Sequence, residues 1–248
     1  NPRHHFRSRR NAVKVLRATQ LLPWFTARFP GEYLLLVRHP VPTALSRTRN
    51  GWHAPLEDFI AQEKWFGGLS AQQRDFVRSL ACKHERDQGR DRERDQVLNQ
   101  EETEKALFRR HLAVWCLEHV GVLGRDAEGI ERAGAPLLHY EHLIADPDAV
   151  LPALADRWQV PDRQAFIERF HRPSRSAKYS PEETKSAIGA GDMRGMLERW
   201  KSRVGDDDIA YVDDALRLFG ITAYRAGETM PAGSGAPDKA IDSKDTST

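Results

Sequence analysis

The chain has 248 residues, 40% hydrophobic and 30% charged, with a formal net charge of +2. That is long enough for one large α/β domain with a sizeable core, or two small ones. Its near-neutral balance argues against a nucleic-acid-coating protein, although not against a local basic patch. Two cysteines, Cys82 and Cys116, form neither a metal-ligand pattern nor a disulfide framework, so a reducing, cytoplasmic compartment is expected. No apolar run approaches the roughly 20 residues a bilayer-spanning helix needs.

The sequence opens Asn1-Pro2-Arg3-His4-His5, with neither an initiator methionine nor a secretory apolar region. It is expected either to have lost residues or to start inside a longer chain. Ala12 to Leu16 reads as a short strand. From Ala18 to Phe29, Leu22, Phe25 and Phe29 recur at helical spacing until Pro30-Gly31 breaks the pattern. The run Tyr33 to Val37 resembles strands buried on both faces of a parallel sheet. Pro40 and Pro42 punctuate a loop, and Thr43 to Arg49 reads as a helix stopped by Asn50-Gly51. This strand, loop and helix make half of a βαβ unit.

Lys83 to Asp95 carries five basic and five acidic residues, a solvated or flexible stretch rather than a site. A better-formed helix follows, with Leu112, Cys116 and Val120 recurring every fourth residue. Pro136 to Tyr140 is a second strand. Asp146-Pro147 supplies a capping side chain and a proline at N1, and Val150, Leu154 and Trp158 form the stripe that helix buries. Asp206 to Asp208 suit a helix N-terminus; Ile209, Val212, Leu216 and Phe219 give that helix its apolar face, and Gly220 ends it. Beyond Gly227 the composition has little to bury, so 1–227 is expected to form one domain and 228–248 a disordered tail. Helices alternating with apolar strands favour a three-layer α/β architecture.

Chemistry concentrates between Leu34 and Ser46. Ligands of open parallel sheets sit beyond the carboxyl ends of the strands, where Arg38 falls. A guanidinium offers a planar fork of donors matched to phosphate, Ser46 adds a hydroxyl, and the helix N-terminus is expected to contribute its amides. Against this stands the ordinary fate of such residues, a salt-bridged surface arginine and an idle helical serine.

Arg38, Pro40 and Ser46, behind a buried strand, resemble the 3′-phosphate-binding motif of sulfotransferases. The Arg-His-Pro variant followed by Asn50-Gly51-Trp52 is similar to a bacterial branch of that family. Lys14, with Pro23-Trp24 and Arg28-Phe29-Pro30 after it, resembles the segment before that strand. Tyr140-Glu141-His142-Leu143 with Ala145-Asp146-Pro147 is similar to the family's Tyr-Glu stretch. Leu197 to Val204, with Trp200 and Lys201, resembles its C-terminal tryptophan-lysine segment.

The resemblance implies a mostly parallel sheet of the P-loop nucleotide-binding type and transfer of a sulfuryl group from PAPS to a hydroxyl or amine. The acceptor class (small molecule, carbohydrate or peptide) stays open, and neither metal nor nucleic acid is implied. Arg38 and Ser46 would hold the 3′-phosphate, Lys14 would face the sulfuryl oxygens as the catalytic cation, and Arg194 in Gly191-Asp192-Met193-Arg194-Gly195 would bring a basic loop over the nucleotide. Two departures stand out. No strand with a Lys-Ser-Gly-Thr-like loop precedes Lys14, so half the donor site is expected to be missing from this chain. Leu16 stands where many relatives carry a histidine base, which leaves His39 and His53 as candidates by placement. His139 and Glu141 share a strand face and read as a structural pair, since no third ligand is spaced to join them. Trp52, Trp65 and Phe66 fall where relatives build acceptor pockets, and packing is their commoner role. The rival readings are a truncated or degenerate non-catalytic binding protein and a nucleotide kinase; the latter needs a Gly-x-x-x-x-Gly-Lys-Ser/Thr loop that the sequence does not contain.

Overall fold

The computed structural model describes residues 14, 19–88, 100–124, 135–170 and 193–233; within these, the side chains of 82–88, 100, 193 and 194 lie outside the description. The described residues are mostly helical around a two-stranded parallel sheet. In chain order, α1 spans Leu22–Arg28, β1 Leu35–Val37, α2 Pro40–Arg49, α3 Leu56–Ile60, α4 Glu63–Gly67, α5 Ala71–Gln88 and α6 Gln100–Leu123. There follow β2 Leu137–His139, α7 Tyr140–Ala145, α8 Pro147–Arg157, α9 Arg163–Phe170, α10 Met193–Glu198 and α11 Asp206–Leu218. The sheet is therefore smaller than the one expected, and among the described residues it has two strands. The expected strand Ala12 to Leu16 lies outside the described residues apart from Lys14.

Helix α6 runs through the middle. Leu112, Ala113, Val114, Trp115, Cys116 and Leu117 are each at most 1% exposed, so successive residues on every side of this helix are covered. A helical stretch covered on all sides is an internal one, and α2, α3, α5 and α11 pack on α6. Its burial pushes the Cys116 thiol far up, which leaves it inert.

Strand pairing is in register, with Leu35 opposite Leu137, Leu36 opposite Leu138 and Val37 opposite His139. Side chains alternate across the sheet. Leu35 and Val37 enter the large cluster built on α6, while Leu34 and Leu138 join Val150, Leu154, Trp158 and Phe166 in a second cluster under α8 and α9. Leu36 departs from the expected strand buried on both faces, because it is 49% exposed.

The helix ends follow local chemistry. Asp146 Oδ1 accepts from Ala149 N at 3.1 Å and Pro147 opens α8, as the sequence requires. Three aspartates open α11, and Gly220 leaves it at φ +67°, a left-handed conformation suited to glycine. The stripe expected of α1 is not a buried one: it has no buried residue, and Phe29 beyond its end is 51% exposed. Of the charged stretch Lys83 to Asp95, residues 83–88 extend α5, and 89–95 lie outside the described residues. At the other end Pro231 is buried and Ala232 N donates to Ala223 O at 2.9 Å, so the packed chain reaches past Gly227; residues 234–248 lie outside the described set.

Candidate functional site

The register that pairs Val37 with His139 brings the next residues of both strands side by side. Arg38 and Tyr140 emerge together, and His39 and Glu141 turn inward together. The guanidinium of exposed Arg38 lies over the Tyr140 ring, with Cζ 4.8 Å from the centroid. Among the described residues Arg38 forms no ion pair, although its charge acts at longer range on the Glu141 carboxyl, so its fork of donors stays open.

Beneath it lies a buried polar knot. His39 N donates to Glu141 Oε1 at 2.8 Å, and Tyr224 Oη donates to Glu141 Oε2 at 3.0 Å. Tyr224 Oη also lies 2.8 Å from His139 Nδ1. The indole Nε1 of Trp115 donates to Arg38 O at 3.1 Å. His39 and Glu141 are 1% and 2% exposed, which makes these bonds strong and costly to lose. Burial pushes the Glu141 carboxyl up, against the pull of its donors.

His39 is fixed on all sides. Its Nδ1 accepts from Val41 N at 3.2 Å, so the ring proton sits on Nε2 and is donated to Arg225 O at 3.1 Å. Its ring stacks on Trp200 at 5.0 Å and meets Tyr224 edge-on at 5.1 Å. Burial lowers its pKa to about 4, which keeps the imidazole neutral. With both nitrogens committed, His39 caps a helix and does not serve as a base. His53 is exposed on the loop before α3.

The N-terminus of α2 corrects a second expectation. The helix begins at Pro40, three residues earlier than its apolar pattern suggests, because His39 caps it and Pro40 takes N1. Pro40 and Pro42 have no N–H, Val41 N is taken by His39 Nδ1, and Thr43 N donates to His39 O at 3.3 Å. No first-turn amide is left for an anion. An anion here must be held by side chains.

Ser46 is half-buried on α2, six residues past Pro40 and about 9 Å further along the axis. Its Oγ accepts from Asn50 Nδ2 at a long 3.4 Å, which leaves the hydroxyl proton to donate. Lys14 is exposed outside any element. Arg194 falls in the first turn of α10, and its side chain lies outside the description. The structure thus places Arg38 and Ser46 on one strand-turn-helix unit and leaves Lys14 and Arg194 without a described relation to them.

The aromatic candidates divide. Phe66 is buried, Trp52 is half-exposed, and Trp65 packs on Phe59 at 5.4 Å while its Nε1 donates to Gln20. Trp65 also lines a cavity of about 620 Å³ with Gln20, Gln73, Gly121 and Phe219, and neither Arg38 nor Ser46 reaches it. No group of three or more metal-ligating side chains occurs among the described residues, and no helix among them is long and apolar enough to cross a membrane. Sequence reasoning missed Tyr224, Trp115 and Arg225 O as the supports of the Arg38 turn; all three come from distant segments, and no local signal marks them. No family model matches this chain, and no curated protein or solved structure matches it either.

Proposed function

We propose that this chain carries the 3′-phosphate half of a PAPS site and belongs to a sulfotransferase that moves a sulfuryl group from PAPS to an acceptor hydroxyl or amine. The observation that carries the reading is Arg38: an exposed guanidinium at the carboxyl end of a parallel strand, with no ion-pair partner among the described residues. Helical clusters on both faces of the β1–β2 pair support a three-layer fold of the P-loop type.

In this reading Arg38 donates two parallel N–H bonds to the 3′-phosphate, and Ser46 Oγ donates a third. Lys14 and Arg194 supply positive charge toward the sulfuryl and phosphate oxygens. In the transfer, the acceptor oxygen or nitrogen bonds to sulfur as the bond from sulfur to the bridging oxygen breaks. The leaving phosphate takes that electron pair, and the acceptor proton passes to a base.

A second reading, a non-catalytic nucleotide-binding protein, keeps the Arg38 site without the transfer. It is favoured by the commitment of both His39 nitrogens to the main chain.

Titration calorimetry with adenosine 3′,5′-bisphosphate and with AMP tests the shared core of both readings. The bisphosphate is expected to bind about tenfold or more tightly, as a charge-assisted contact to the extra phosphate implies, and Arg38→Ala is expected to abolish that preference. Equal affinity of the unmodified chain for the two nucleotides refutes the assignment. Sulfuryl transfer to a panel of acceptors then separates enzyme from binding protein.

A further inference from the structure

We infer that Tyr140 is a positioning residue of the Arg38 site: its ring orders the guanidinium before the phosphate arrives. This inference rests on the proposed phosphate role of Arg38.

The main chain at Arg38 is already pinned. Trp115 Nε1 holds its carbonyl at 3.1 Å, Glu141 holds the next amide at 2.8 Å, and His39 holds Val41 N at 3.2 Å. The freedom that remains belongs to the Arg38 side chain, whose several torsions would otherwise be ordered only on binding, at the expense of affinity. No carboxylate among the described residues takes up this ordering.

Tyr140 does. The in-register pairing of β1 and β2 sets residue 140 beside residue 38 on the outer side, and the guanidinium lies 4.8 Å from its ring centroid. Stacking on a ring face attracts the cation without using its N–H groups. A carboxylate partner would occupy the same fork that a phosphate needs. An aromatic platform therefore orients the fork and leaves its donors available, which suits a phosphate monoester engaged in the guanidinium plane.

Residues 140 and 141 divide the labour at the end of β2. Tyr140 restrains the side chain from outside, and Glu141 restrains the main chain from inside, where Tyr224 supports it at 3.0 Å.

The test is the affinity ratio of adenosine 3′,5′-bisphosphate to AMP, measured by titration calorimetry on the whole chain and on Arg38→Ala, Tyr140→Leu and Tyr140→Phe. The ratio isolates the 3′-phosphate, whereas general loosening of the fold weakens both ligands together. Tyr140→Leu is expected to lower the ratio about three- to fivefold, and Tyr140→Phe, which keeps the ring, to restore it to within about twofold of the unmodified chain. Thermal melting of each variant checks that it is folded. A ratio near one in the unmodified chain removes the phosphate reading itself. A ratio abolished by Arg38→Ala but unchanged in Tyr140→Leu leaves that reading standing and overturns the role of Tyr140. Tyr140→Phe falling as far as Tyr140→Leu also overturns it, because the ring is then not the operative group.

Discussion

Acid should weaken this protein well above the range where carboxylates protonate, and His119 provides a way to measure why. Burial lowers both His39 and His119 to about 4. In the unfolded chain each would titrate near 6.5. Between those values the unfolded state binds more protons than the folded one, so stability rises with pH; it is fully present above about 6.5 and is lost as pH falls toward 4. A shift of that size is worth on the order of 3 kcal/mol per histidine, of which about 2 kcal/mol is lost between pH 7 and pH 5. Against a total of roughly 5–15 kcal/mol this is a large share. Glu141 opposes it, since burial raises its carboxyl: its contribution is present below its ordinary 4.5 and fades as pH rises. The decisive comparison is therefore a difference between variants. His119 stacks on Trp115 at 4.4 Å and its Nδ1 donates to Trp115 O at 2.8 Å. His119→Phe keeps a ring in that place, leaves Trp115 O inside the α6 hydrogen-bond ladder, and removes the titration. Urea unfolding followed by tryptophan fluorescence at pH 7, 6 and 5 should show the variant losing about 2 kcal/mol less than the unmodified chain over that interval. Parallel pH curves, differing in slope by less than about 0.5 kcal/mol, would refute the burial account.

Two further substitutions probe the scaffold around the site. A Cβ at Gly124 would collide with Val120 O, a backbone atom that cannot swing aside, so Gly124→Ala should cost on the order of 1–3 kcal/mol and lower Tm by roughly 2–10 °C; an unchanged Tm in a thermal melt contradicts the packing. Arg47, next to Ser46 on α2, pairs with Glu118 of α6 at 2.8 Å, with the two side chains 12% and 4% exposed. Arg47→Met should cost about 3–5 kcal/mol by denaturant unfolding, and adding Glu118→Leu should recover at least about half of it, since the charge left behind is then gone. A double variant no better than the single one would place the cost in lost packing instead.

What was legible in the sequence was local, and what was not came from far along the chain. The cap at Asp146, the proline after it, the three aspartates of α11 and the glycine that ends it all act within a turn of themselves, and each stands where its chemistry requires. The apolar runs located both strands, but their partners did not follow: an apolar run looks the same whether one face is covered or two, and Leu36 shows that difference. His39 looked like a candidate base because its ring fills the right place in the chain. Its actual work depends on Glu141 and Arg225, 102 and 186 residues away, which no local pattern reports.

The amides of α2 are the instructive case, since the sequence did contain the answer. Two prolines in the first turn remove two of the donors that make helix N-termini attractive to anions, and a capping histidine before them takes a third. A strand end followed by such a helix has to recognise a phosphate with side chains. The burden then falls on one guanidinium, and a flexible arginine is a poor single anchor unless something restrains it. The parallel register supplies that restraint by placing an aromatic ring beside the arginine and a buried carboxylate beside the histidine that follows it. Affinity at such a site should accordingly be more sensitive to the residues flanking Arg38 than at a site built on free backbone amides, where no single side chain carries the anion.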